Sequence, residues 1–469
     1  MTGLTARTAI GVVRIRVAAL AVGKAVRASL GGLAACLGLS IAHGAPPQIP
    51  FPVELAGQAV LPAATFIAPP GDAPAHLSVS GRFALPQAPR HGPGQTGLSL
   101  PFAGQPVQGF SGIQPAGDGS YWVISDNGFG RRSNSTDALL MIHRVRPDFT
   151  RGSVMIERTI FLSDPLRRLP FAIALEDTAT RYLTGSDLDP ESIQPVADGF
   201  WIGDEFGPYL VKLDPAGCVE TLVTAMLDGA PLRSPDADAP APPALATHAS
   251  IARSAGFEGL AATDDGTRLY AMLEKPVSHS SGIPDDRVVH LLEFDLARRA
   301  WTGRSLRYRL EAGASSIGDI DLIDGQRALV LERDDGQGDL ARACAAGLSP
   351  PGCFPRPARL KRVYLVDLNT SDDGFVRKIG YVDLLAIRDP ERRARQRGDD
   401  GEAGAPLTFP FVTIESVARI DDDHILVAND NNLPFSSGRL PDRADDSEFI
   451  LLRVPGLLSA RTVPPAPTK

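Results

Sequence analysis

Carboxylates recur at fixed places in this chain. The segment GFEGLAATDDGTRLYAMLEK, from Gly256 to Lys275, begins with Glu258, ends with Glu274, and has Asp265-Gly266 midway between them. Four further segments share the pattern: GFSGIQPAGDGSYWVISDNGFG from Gly109, DPESIQPVADGFWIGDEFGPYL from Asp189, SIGDIDLIDGQRALVLERDDG from Ser316 and TIESVARIDDDHILVANDNN from Thr413. In an antiparallel hairpin the ends furthest from the turn lie side by side. The spacing therefore pairs Ser111 with Asp126, Glu191 with Asp204 and Glu205, Glu258 with Glu274, Asp319 with Glu332, and Glu415 with Asn429 and Asp430.

If these hairpins converge, ten acids share one mouth. Like charges held close are costly, and either protonation or a hard cation relieves the repulsion. Ca²⁺ takes six to eight oxygens with loose geometry, so a divalent cation, Ca²⁺ first, is the expected cofactor. The expected ligands are Asp126, Asn127, Asp204, Glu274, Asp319, Glu332, Glu415, Asn429 and Asp430, and the expected catalytic acids are Glu258, Glu205 and Glu191. Lys275, Arg333 and Arg131 each follow an acid and would offset charge or hold an anionic substrate. The competing reading is that acids at strand ends are solvated, or cap turns. Recurrence in one register favours a shared role, since four of the five copies open with an acid; Ser111 breaks the pattern.

The elements that would position these groups are strands. Each copy has apolar alternation on both sides of a turn: Asp118-Gly119, Asp198-Gly199, Asp265-Gly266, Asp324-Gly325 and Asp421-Asp422-Asp423. Asp-Gly between such runs is a strong hairpin signal. A second strand pair follows each hairpin, such as ALLMIHRVRP with RGSVMIERTIFL; after the fifth, only EFILLRV remains. Four antiparallel strands per repeat is the unit of a β-propeller. The fold expected is all-β, a propeller of five recognisable four-stranded blades, with a sixth possible within residues 77–108. The missing partner for EFILLRV is ELAGQAVLPA near the N-terminus, which would close the ring and protect an edge. The expected divisions are 1–44 as signal, 45–108 as closing strand and Pro/Gly-rich segment, 109–458 as propeller and 459–469 as tail. Pro231–Pro243 and Asp389–Gly404 read as loop insertions whose face the sequence does not disclose.

Composition agrees. Hydrophobic residues make up 43% of 469, with 46 Gly and 41 Pro, which suits a turn-rich folded chain. The first 44 residues carry five Lys or Arg and no acid, and Ala28–Ala42 is an uncharged, apolar-rich run ahead of a small-residue cleavage site at Ala42-His43-Gly44. This reads as an export signal. The alternative is a lipoprotein box ending at Cys36. Without those 44 residues, 42 basic face 55 acidic residues, a formal −13. That balance opposes a nucleic-acid partner, and no apolar stretch after the signal is long enough to span a membrane. A monomer acting on a small molecule is expected. Cys344 and Cys353 bracket a Pro/Gly-rich loop and fit a local disulfide in an exported chain; Cys218 reads as a buried small residue. There is no G-x-S-x-G elbow, P-loop or HExxH. Arg90-His91-Gly92 matches the start of a histidine acid phosphatase signature, but the later Arg and Pro are absent.

Taken together, GFSGI with DNGFG, ESI with WIGDEFGPYL, GFEGLA, LVLERD, and ESVA with NDNN resemble the phytase-like (esterase-like activity of phytase) family of exported bacterial proteins. The resemblance spans roughly residues 105 to 455 with the motifs in family order. It implies a propeller-like domain whose recurrent acids act on phosphoesters or related esters. The matching positions are Asp126, Glu191, Asp204, Glu205, Glu258, Glu274, Glu332, Glu415 and Asp430. The function expected is therefore metal-dependent ester hydrolysis, most simply of phosphoesters. Two alternatives stay open: a divalent-metal lactonase or carboxylesterase, and a non-catalytic binding propeller whose acids stiffen the ring.

Overall fold

In the computed structural model, residues 48–84, 96–237, 249–277, 287–345, 352–370, 374–397 and 405–462 are described. The segment expected to be an export signal, Cys36 and Arg90-His91-Gly92 lie outside them, as do parts of both insertions.

Why the repeats become blades follows from their burial. The first strand of each is Phe110–Pro115, Pro190–Val196, Phe257–Ala262, Ser316–Leu322 and Ile414–Arg419. These five pack side by side in a closed ring, each covered on both faces by its neighbours. The Asp side chains at the hairpin turns bond the backbone just beyond them: Asp265 accepts from Thr267 N (3.0 Å), Asp324 from Gln326 N (2.9 Å) and Asp421 from Asp423 N (2.8 Å). Outward, blade 1 adds Tyr121–Ser125, Met141–Asp148 and Ser153–Phe161; blade 2 adds Gly199–Asp204, Tyr209–Leu213 and Val219–Thr224. Blade 3 adds Arg268–Leu273, Val288–Asp295 and Ala300–Arg309; blade 4 adds Arg327–Arg333, Lys361–Asp367 and Arg377–Asp383. Alternation returns in the outermost strands, where one face meets water.

Blade 5 contains His424–Asn429 and Ser447–Arg453 and is completed by Glu54–Leu61, antiparallel to the latter. This is the ELAGQAVL segment expected to close the ring. Its far edge meets blade 1 at Val60 and Ser153, so two blades form one continuous eight-stranded sheet. Blade 4 gains a fifth strand, Ile49–Pro50, parallel to its edge. No sixth blade forms among the described residues: Val79–Ser80 pairs with Phe102–Ala103, and Phe66–Ile67 with Gln105–Pro106, as two short ribbons. Cys344 and Cys353 are joined, and Cys218 is a half-buried free thiol.

The hydrophobic cores lie between blades. Trp122 and Phe200 meet across blades 1 and 2 at 5.1 Å, and Trp201 and Phe294 across blades 2 and 3 at 5.1 Å. Phe110 and Phe449 join blades 1 and 5 at 6.0 Å. Strand polarity sorts the connections. Every second strand ends, and every third begins, at one face; there begin and end the long connections 62–109, 162–189, 225–256, 334–360, 384–413 and 430–446, as far as their residues are described. The opposite face carries the hairpin turns and the other short links. The described parts of both insertions therefore sit on the face where the acids emerge.

Inner strands approach closely. A Cβ on Gly318 would lie 2.0 Å from the Ile414 carbonyl oxygen, whereas one on Gly325, in the turn of the same blade, would meet nothing within 4 Å. Gly318→Ala is expected to destabilise the fold by about 1–3 kcal/mol in denaturant titration, with Gly325→Ala nearly neutral. Equal effects would show that the axis has slack.

Candidate active site

The site is built from two positions per blade. Each first strand has a bulge near its start, at or next to Ser111, Glu191, Glu258, Gly318 and Glu415. The residues just past or at the end of the second strands are Asp126, Glu205, Glu274, Arg333 and Asp430, opposite Gly109, Asp189, Gly256, Ser316 and Thr413. A bulge re-aims a side chain. Here it turns three glutamates toward the axis, beside the acids of the second strands. A Cβ on Gly256 would lie 2.5 Å from Glu205 Cα, so the motif glycine lets blade 3 press against the acid of blade 2.

Eight carboxylates share the resulting chamber: Asp126, Asp189, Glu191, Glu205, Glu258, Glu274, Glu415 and Asp430, linked to one another by mutual repulsion. Oxygens of Asp189, Glu191 and Glu205 lie within 4.8 Å of one another, and so do those of Glu205, Glu258 and Glu274, with Glu205 common to both groups. Two cations offset them. Arg333 donates through Nη2 to Glu415 (2.9 Å), Glu274 (3.0 Å) and Glu258 (3.3 Å), and Lys275 Nζ lies 2.5 Å from Glu274. Ser111 donates to Glu415 at 3.1 Å. Half-buried Asp126 and Lys275 are the members that solvent reaches most.

The electrostatics follow from burial first. It raises Asp126, Glu191, Glu205 and Glu258 well above the usual carboxyl range, with neighbouring acids adding to the effect. Asp189 is pushed up to about 6 and Asp430 to about 8. Burial alone would lower Arg333 and Lys275, but the surrounding glutamates outweigh it and hold both charged.

Several expected site residues face elsewhere. Blade 4 runs one residue out of the expected register: Gly318 holds the bulge position and Arg333 the ring position. Asp319 instead accepts from Ile320 N and Val417 N, both at 2.8 Å, tying blades 4 and 5. Glu332 turns between blades to the Tyr308 hydroxyl, Lys378 and Glu311 N. Asp204 accepts from Asp189 N (2.8 Å) and Gly207 N (2.7 Å). Asn429 serves Asp446 O and Glu448 N. Asn127 donates to Asp189 from its backbone (3.1 Å) and side chain (2.7 Å), and so orients that acid. Arg131 is exposed in the loop beyond, with no contact to the ring acids among the described residues. Asp189 is the acid that the hairpin pairing overlooks. It stands where other copies carry Gly, Ser or Thr, and superposing the first residues of the copies would have exposed it.

These features define a five-bladed β-propeller with an acid-rich axial chamber on its loop-bearing face. Residues 105–433 match the phytase-like family, described as esterase-like activity of phytase, and the chain belongs to that family. No curated protein matches it. Among solved structures it is similar to the Dos1 propeller, at 9% identity and TM-score 0.30, covering 75% of this chain and 70% of that one. It is also similar to a β-1,3-galactosidase with galactodeoxynojirimycin, at 12% and 0.35, covering 74% and 91%. A PQQ-bound aldose sugar dehydrogenase from Streptomyces coelicolor matches at 14% and 0.33, covering 74% and 95%.

Buried carboxyls raised in the folded state stabilise it while protonated. Against an ordinary value of 3.8, Asp189 at about 6, Asp204, Asp321 and Asp445 at about 7, and Asp430 at about 8 keep their protons longer folded than unfolded. Their stabilisation is complete below about pH 4 and lost as pH rises through 6 to 8. In chelator, the melting temperature should fall across that window, and Ca²⁺ should recover the part due to the chamber. A metal-free chain that gains stability from pH 5 to 8 would contradict this.

Proposed function

We propose that this chain is an exported, divalent-cation-dependent hydrolase of small-molecule phosphoesters. The observation that carries the reading is the excess of eight axial carboxylates over two cations, with Glu205 shared by two oxygen triads. Such a donor set fits a hard, oxygen-seeking ion. Family membership supports ester chemistry. Export is supported by the basic and apolar N-terminal residues and by the Cys344–Cys353 disulfide.

Asp189, Glu191 and Glu205 would hold the ion, with Asn127 keeping Asp189 in place. A bound Ca²⁺ would neutralise phosphate oxygens and activate an attacking water. Glu258, whose proton affinity burial and its acid neighbours raise, is the group to take the proton from that water. Lys275, with a third of its side chain exposed, is placed to meet the incoming anion, and Arg131 stands further out.

A second reading draws on Arg333, which ties glutamates of blades 3 and 5 and would equally serve a ring that only needs stiffening. Assays separate the two. With p-nitrophenyl phosphate, bis-p-nitrophenyl phosphate and phytate, turnover should vanish in EDTA and return with Ca²⁺. Glu258→Gln should lower kcat by about a hundredfold or more. Turnover that survives complete metal removal overturns the mechanism, and lactone turnover without phosphoester turnover reassigns the substrate. If no ester is turned over and Glu258→Gln shifts only the melting temperature, the stiffening role stands.

A further inference from the structure

Blade 4 breaks the rule the other blades follow. It has Gly318 where blades 2, 3 and 5 have glutamate, and Arg333 where all four others have an acid. The guanidinium is also used in an unusual way. Arginine commonly meets one carboxylate through two parallel bonds. Here a single nitrogen, Nη2, donates to one oxygen of each of three glutamates, Glu415 at 2.9 Å, Glu274 at 3.0 Å and Glu258 at 3.3 Å. Nε, in a side chain only 8% exposed, has no hydrogen-bond partner among the described residues. Three oxygens from two blades thus surround one point of positive charge, as ligands surround an ion.

We propose that Arg333 stands in for a second cation. It is a positioning residue that fills the space among Glu258, Glu274 and Glu415 with a charge that cannot dissociate. An exchangeable ion is thereby confined to the adjoining sector, at Asp189, Glu191 and Glu205. The assignment of that sector rests on the function proposed above; the claim about Arg333 does not. Removing the guanidinium leaves the three oxygens around a hole that a divalent cation can fill.

The test counts cations on the full chain. Metal-free wild type, Arg333→Gln and Arg333→Lys would be titrated with Mn²⁺ by electron paramagnetic resonance, and with Ca²⁺ by equilibrium dialysis. Arg333→Gln should bind one more ion per chain than wild type, and its melting temperature should gain more from Ca²⁺. Arg333→Lys, which keeps a charged nitrogen, should match wild type. Arg333→Gln binding the same number or fewer overturns the proposal, and so does its failure to fold in millimolar Ca²⁺. A wild type that binds nothing, beside an Arg333→Gln chain that binds one ion, removes the metal-dependent function and leaves the role of Arg333 intact.

Discussion

Repulsion among buried carboxylates is the constraint around which the molecule is arranged. Two unit charges 4.8 Å apart, the outer limit within either triad, repel by about 3 kcal/mol at an effective dielectric of about 20. Several such pairs act at once, and each would drive the blades apart. Arg333 and Lys275 offset part of this at the axis, and the remaining opposing forces lie further out. They are the apolar layers between blades, where Trp122, Phe200, Trp201, Phe294, Phe110 and Phe449 interlock, together with the strand that joins the two ends of the ring. The charge can gather because the periphery is strong, and retained protons or counter-charges relieve what remains.

Neighbouring positions on one strand divide this work. Side chains alternate across a pleated sheet, so a residue next to a ring position turns between blades. Asp204, Glu332 and Asn429 all occupy that adjacent position, and all three satisfy backbone or side-chain groups away from the axis. Asp319 does related work at the seam between blades 4 and 5. The acids of this chain therefore fall into two populations: those that hold the ring together and those that the ring holds together.

That division explains what could be read from sequence. The five hairpins, their Asp turns, the four-stranded unit and the closing ELAGQAVL strand are local patterns, and they survive intact in the fold. Glu191, Glu205, Glu258, Glu274, Glu415, Asp126 and Asp430 follow from hairpin pairing alone. Blade 4 does not: its bulge falls where the other blades have theirs, but that position holds Gly318 and the paired one Arg333, each one residue away from the acids that spacing selects. Gly318 and Arg333 displace Asp319 and Glu332 from the roles that spacing assigns them. Asp189 escapes notice because pairing the two ends of a hairpin ignores the residue just before it. The face of the long loops follows from counting antiparallel strands within a blade, since second and fourth strands end on the side where the acids emerge.

Glu54–Leu61 and Ser447–Arg453 are neighbours in space but nearly four hundred residues apart along the chain. A ribosome releases the first long before the second exists. During that interval the strand has only its short contact with blade 1, and blade 5 lacks its rim. Closing so large a loop is entropically slow, and contacts of such long range tend to form late. On that tendency an open arc of blades, its axial acids not yet forced together, would come first, and the full electrostatic load would fall on the last step.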